Sequence, residues 1–217
     1  MTPRRMRNVS GRYLPLAPLE RRAVLRRAFV DSLPVLMGYT SMGFVAGALL
    51  AAKAGLAHAP LWGFISSALC VSGTFSFAMV QPVADRAPAW TFALLAAGIN
   101  FRYAFYGFTM LGRWKDVPLL RKLFLVHMLS DENYALEAAC RYTRASAYLL
   151  YCVSLSAMNL SYWVAGVTAG ALAVAVLQGA LDPEVIRART NGMEFAMVAL
   201  FLVIFTDQAK EMSRHGK

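Results

Sequence analysis

Asn100, Arg102, Tyr103 and Tyr106 interrupt an apolar stretch that runs over residues 94–111. An arginine inside such a stretch costs about 2.5–3.5 kcal/mol on insertion scales, so a partner or a substrate has to offset it. Asp131 and Glu132, in the cluster SDENYALE, are the candidate partners, because a carboxylate in an apolar medium itself needs a cation or hydrogen-bond donors. Asp131 and Glu132 are also the candidate proton carriers. His127 precedes Asp131 by four residues, so on one continuous helix the two would meet as a proton-carrying pair. Plainer readings are that Arg102 snorkels to an interface, that the acids sit in an interfacial loop, or that the ion pair only holds helices together.

Composition says what kind of scaffold must position these groups. Of 217 residues 58% are hydrophobic and only 16% charged, and the mean hydropathy is +0.48. That excludes an ordinary soluble domain and points to a membrane protein. The formal charge of +10 would suit a nucleic-acid binder, but Arg4, Arg5, Arg7, Arg12, Arg21, Arg22, Arg26 and Arg27 precede the first long apolar run. There they read as a cytoplasmic anchor near anionic headgroups. Cys70, Cys140 and Cys152 have no paired spacing and read as small core residues, with no metal or disulfide. The small-residue string AHA at 57–59 resembles a signal cleavage site, but the long basic lead and Pro60 favour a retained span. No P-loop, dinucleotide fingerprint, zinc spacing or nucleophile elbow occurs, so neither an enzyme nor a cofactor is expected.

The expected fold is an all-α polytopic membrane bundle of about six segments, some broken or re-entrant. Residues 1–30 form a basic cytoplasmic tail, 31–208 the transport domain and 209–217 a C-terminal tail. Spans are expected at 33–52, 60–80 and 89–111, followed by a polar connection, GRWKDVP, and a less apolar segment at 119–141. A run of about 35 apolar residues follows, too long for one span unless strongly tilted, and a kinked pair is expected around 159–161. The last apolar run covers 193–206. If the first three runs all crossed, the basic connection would fall outside, against the positive-inside rule, so an early run is expected to re-enter. The second is the candidate: in CVSGTFSF, Gly73 lies between hydroxyl residues, where an unwound helix would expose backbone groups to a cavity. Asn100, Tyr103 and Gly107 share one face of the third span and Arg102 and Tyr106 another, which suits a helix buried on both. Gly43 with Gly47 and Gly166 with Gly170 have the small-residue spacing of close helix packing.

Four strings are similar in order and spacing to the AzlC family: DSLPVLMGYTSMGFVAGALLAAKAGL (31–56), INFRYAFYG (99–107), LSDENYAL (129–136) and GMEFAMVALFLVIFTDQ (192–208). The resemblance implies a bacterial inner-membrane protein that exports branched-chain amino acids with a small AzlD-type membrane partner. It also implies that the family's polar positions fall on Asn100, Arg102, Tyr106, Gly107, Asp131 and Glu132. The sequence departs from the family at Tyr103, where a histidine is common, and in GTFSF (73–77), where Ser76 replaces a glutamine. Ser76 therefore marks an altered substrate ligand. The family usually continues through another apolar run beyond TDQ, and a groove left there would take a partner or a second copy. The expected function is a proton-driven exporter subunit for branched-chain or similar small amino acids. The alternatives are a permease-like subunit of an ATP-driven transporter and a non-transporting scaffold.

Overall fold

The structure, a computed structural model, describes residues 16–54, 58–180 and 182–195, with positions 198, 199, 202, 203, 206 and 210 beyond them. Residues 1–15 of the expected N-terminal tail, part of the expected last run at 193–206 and all of the C-terminal tail but position 210 lie outside the described residues. The elements in chain order are α1 (Pro18–Ala54), α2 (Ala59–Leu69), α3 (Gly73–Ala78), α4 (Val80–Ala84), α5 (Ala89–Met110), α6 (Leu119–His127), α7 (Asp131–Ala139), α8 (Ala145–Gln178) and α9 (Pro183–Thr190). Prolines open α1, α2 and α9 and precede α5 and α6, where their missing N–H leaves no helical bond unmade.

Two of these helices, α1 and α8, are long and apolar enough to cross a membrane. The basic segment ahead of the first apolar run is the first part of α1. Nothing between Pro18 and Leu33 breaks a helix, arginine is a good helix former, and Val24 and Ala28 are buried in the core. Arg27 and Asp31 pair one turn apart at 2.8 Å, and Asp31 also accepts from the Tyr151 hydroxyl at 2.9 Å. No break occurs at 159–161: α8 is one continuous helix of 34 residues, about 50 Å long. Asn159 spends its side chain on a buried partner, Asn133, and Ser161 bonds back to its own turn through the Met158 carbonyl. Of the two, only Ser161 touches the backbone, and its bond stays within its own turn of the unbroken helix.

The second expected span is broken as its composition predicts. Cys70 and Ser72 adopt extended backbone, and the Ser72 hydroxyl accepts the Phe75 amide to start α3 at Gly73. A second break, between α6 and α7, was not foreseen. Met128 closes α6, Ser130 is extended, and its hydroxyl accepts the Asn133 amide at 3.2 Å to start α7.

The chain forms two compact units. One comprises residues up to Tyr39 together with Ala96–Trp163; the other comprises Thr40–Leu95 and residues from Val164 onward. In the first, Trp114, Met110, Leu125, Tyr148 and Leu155 are packed into one core with Val24 and Ala28. The connection expected to be a polar loop thus buries Trp114, and Arg113 with it. In the second, α1 and α8 meet backbone to backbone. A Cβ on Gly47 would stand 1.9 Å from the Val167 carbonyl oxygen, and one on Gly170 1.9 Å from that of Phe44. Gly43 and Gly166 are also buried.

Candidate functional site

The Arg102 guanidinium reaches Asp131 at 2.9 Å, linking α5 to the first residue of α7. Both side chains are a little over one-third exposed, at 38% and 39%. The Tyr106 hydroxyl, one turn along α5, donates to the other Asp131 oxygen at 2.8 Å. Arg102 also lies over the Tyr103 ring, 5.2 Å from its centre, and donates to the Tyr103 hydroxyl at 3.4 Å. Tyr106 in turn stacks on Tyr134 of α7, with ring centres 4.4 Å apart. Asp131 therefore sits in a wall of tyrosines, with one cation and one phenol on it.

Glu132 does not join Arg102. Its carboxylate accepts from the Tyr39 hydroxyl of α1 at 2.7 Å, and Tyr39 lies 2.8 Å from the Ser130 hydroxyl as well. Tyr39 is held in place by an edge contact with Trp163, 5.5 Å between ring centres. The N-terminus of α7 thus gathers two carboxylates, one capping serine, one arginine and two phenols. Acids in the first turn of a helix are favoured by the partial positive charge there, which suits Asp131 and Glu132 to the start of α7.

Three sequence expectations need correction. His127 and Asp131 do not share a helical turn: α6 ends at His127, which is exposed, and the break at Ser130 separates it from Asp131. The helix α5 is not buried on both faces, for Phe101, Phe105 and Phe108 form an exposed apolar stripe while Arg102, Tyr103 and Tyr106 turn toward α7. Glu132 belongs to Tyr39, not to Arg102. Asn100 is two residues before Arg102, about 200° around the helix from it. Gly73 and Ser76 belong to the other unit, where Gly73 opens α3 and Ser76 is buried.

Tyr39, Ser130, Tyr134 and the buried side chains behind them were missed. Ser130 had a legible signal, a hydroxyl residue followed by two acids at the start of an amphiphilic run, which is a helix N-cap pattern. Among the described residues no group of three or more His, Cys, Asp or Glu side chains is arranged to hold a metal ion.

Comparison with known proteins decides the family. A family model described as AzlC protein matches residues 34–177, from within α1 almost to the end of α8, and takes in Arg102, Tyr106, Asp131 and Glu132. The chain belongs to the AzlC family. It is 24% identical over 195 residues to the branched-chain amino acid transport protein AzlC of Bacillus subtilis, covering 89% of this chain and 71% of that one. An uncharacterized membrane protein of Helicobacter pylori is 28% identical over 193 residues, covering 87% and 79%. Another from Haemophilus influenzae is 26% identical over 182 residues, covering 84% and 70%. No solved structure matches. This AzlC protein is therefore a membrane protein with a transport role.

Proposed function

We propose that this AzlC protein exports branched-chain or similar small amino acids, driven by the proton gradient, and that the N-terminus of α7 binds the substrate. The observation that carries the reading is the Arg102–Asp131 pair at 2.9 Å, closed by the Tyr106 hydroxyl and still one-third open. A zwitterion can insert into such a pair, its carboxylate taking Arg102 and its ammonium taking Asp131, so that each charge exchanges one partner for another. Glu132 and the first-turn amides of α7 extend the polar side, and the tyrosine wall offers apolar surface to an aliphatic side chain. The name of the Bacillus subtilis relative supports a branched-chain substrate. Asn100 is a further substrate contact on this reading, and His127 is dropped from the proton pair.

The chain works in the bacterial inner membrane with its basic N-terminus in the cytoplasm, where arginines are retained. It acts beside a small AzlD-type membrane subunit or a second copy, and the exposed stripe Phe101, Phe105 and Phe108 is available to lipid or to that companion. The test is efflux of radiolabelled amino acids from proteoliposomes holding the purified protein with its companion. Arg102→Ala and Asp131→Ala should each abolish efflux while leaving the protein folded. Efflux at the unmodified rate in both would remove the pair from the transport path.

A further inference from the structure

Behind the open pair lies a second polar cluster that the transport reading does not use. Glu137, on α7, is only 1% exposed. The Ser156 hydroxyl of α8 donates to its Oε1 at 3.1 Å, whereas its Oε2 has no partner. Asn133, one turn earlier on the same face of α7, donates to the Met128 carbonyl and approaches Ser156 at 3.5 Å. Asn159 of α8 donates to the Asn133 carbonyl oxygen, and its own Oδ1 is buried without a partner.

The side-chain donors of this cluster are thus engaged, and two buried acceptor atoms remain. We propose that Glu137 binds the coupling proton, held on Oε2 as a neutral acid at the closed end of the Asn133–Ser156–Asn159 network. A proton there removes a charge that burial would otherwise make costly. Burial of the carboxyl is the largest influence and disfavours its charged form, while the Ser156 and Cys152 donors and the Arg113 guanidinium act the other way. The Arg113 guanidinium is the nearest cation, but it donates to the backbone carbonyls of Glu137, Ala138 and Cys140, the unpaired end of α7. Cys140, Tyr148 and Cys152 complete the surroundings, and none of them brings a positive charge.

The cluster also reaches the candidate substrate site. Asn133 gives its amide to Ser130, Ser130 meets the Tyr39 hydroxyl, and Tyr39 meets Glu132. A change of partner at Asp131 or Glu132 therefore strains the same turn of α7 that carries Asn133 and, four residues on, Glu137. Asp131 and Glu132 lack that enclosure: one is part-exposed and the other exposed, and both already accept from strong donors.

The proposal deepens the transport reading, but its first test is independent of transport. Infrared spectra of the full-length protein in lipid should show a protonated-carboxyl band at neutral pH that is lost in Glu137→Gln and shifted in Ser156→Ala, which keeps the acid and removes its hydrogen bond. No such band in the unmodified protein, or a band that persists in Glu137→Gln, overturns the assignment. So does a band abolished by sodium chloride but not by choline chloride, since that makes the bound cation sodium. If Glu137→Gln does not fold, an unshifted band in Ser156→Ala overturns it as well. In proteoliposomes the pH dependence of efflux should be lost in Glu137→Gln. Absence of any efflux from the unmodified protein would refute the transport reading while leaving the proton on Glu137.

Discussion

The close approach of α1 and α8 at Gly47 and Gly170 gives the sharpest stability prediction. A methyl on Gly47 would stand 1.9 Å from a backbone oxygen, against 3.4 Å or more for ordinary contact. Neither atom belongs to a flexible side chain, so α1 and α8 must separate by about 1.5 Å or tilt, at the upper end of the usual 1–3 kcal/mol for overpacking. Alanine returns up to about 1 kcal/mol through its higher helix propensity, so the net cost of Gly47→Ala is about 2 kcal/mol. Gly98→Ala is the control: it lies in α5 with nothing within 4 Å of its would-be Cβ, and should stabilise by up to about 1 kcal/mol. The two variants should therefore differ by about 3 kcal/mol. Gly170→Ala should match Gly47→Ala, and the double variant should cost clearly less than their sum, because one separation of the helices makes room for both methyls. Unfolding in mixed micelles, followed by loss of helical circular dichroism, measures each value. Gly47→Ala within about 0.5 kcal/mol of Gly98→Ala would refute the backbone contact.

Three further outcomes are expected. Tyr39→Phe keeps the ring against Trp163 but loses the bonds to Ser130 and Glu132, and should cost about 1–2 kcal/mol in the same assay. Asn159→Ala leaves the Asn133 carbonyl oxygen without its donor in a fully buried place and should cost about 2–3 kcal/mol, whereas Ser161→Ala, exposed two residues on, should stay within about 0.5 kcal/mol. Burial pushes the Cys140 thiol, in the connection after α7, above its ordinary value; less of it is thiolate at neutral pH, so maleimide labelling of a Cys70→Ala, Cys152→Ala background should be slower than for free cysteine and should accelerate as pH rises.

What could be read from the sequence was what rests on local chemistry. Arg102 in an apolar run demanded a carboxylate, and Asp131 supplies it; hydroxyl residues around Gly73 announced a break, and α3 starts there. The failures came where a residue's partner lies far along the chain. Asn159 suggested a break because its buried partner, 26 residues earlier, is invisible to periodicity. Arg113 and Trp114 sat in a polar-looking connection, yet they are buried by Tyr148 and the end of α7, 24 or more residues away. His127 and Asp131 have helical spacing, but spacing is blind to a serine that caps a new helix between them.

The two helix breaks also bear on whether the Arg102–Asp131 pair is merely structural. Each break ends in a serine whose hydroxyl accepts the amide three residues on, Ser72 before α3 and Ser130 before α7. The first is followed by Gly73 and Thr74, with no charge, and still forms its helix. A capped start therefore does not need an acid, and the serine alone contributes about 1 kcal/mol. Acids at the start of α7 are worth about 0.3–1 kcal/mol each against the helix end, and a salt bridge as open as this one is worth no more than about 1 kcal/mol. Neither amount is enough to make Arg102 indispensable to α7, which already has its cap, its tyrosine contacts and Arg113 at its far end. A pair that contributes so little to the fold is free to exchange partners, and an incoming zwitterion has to overcome only that small amount to take both charges.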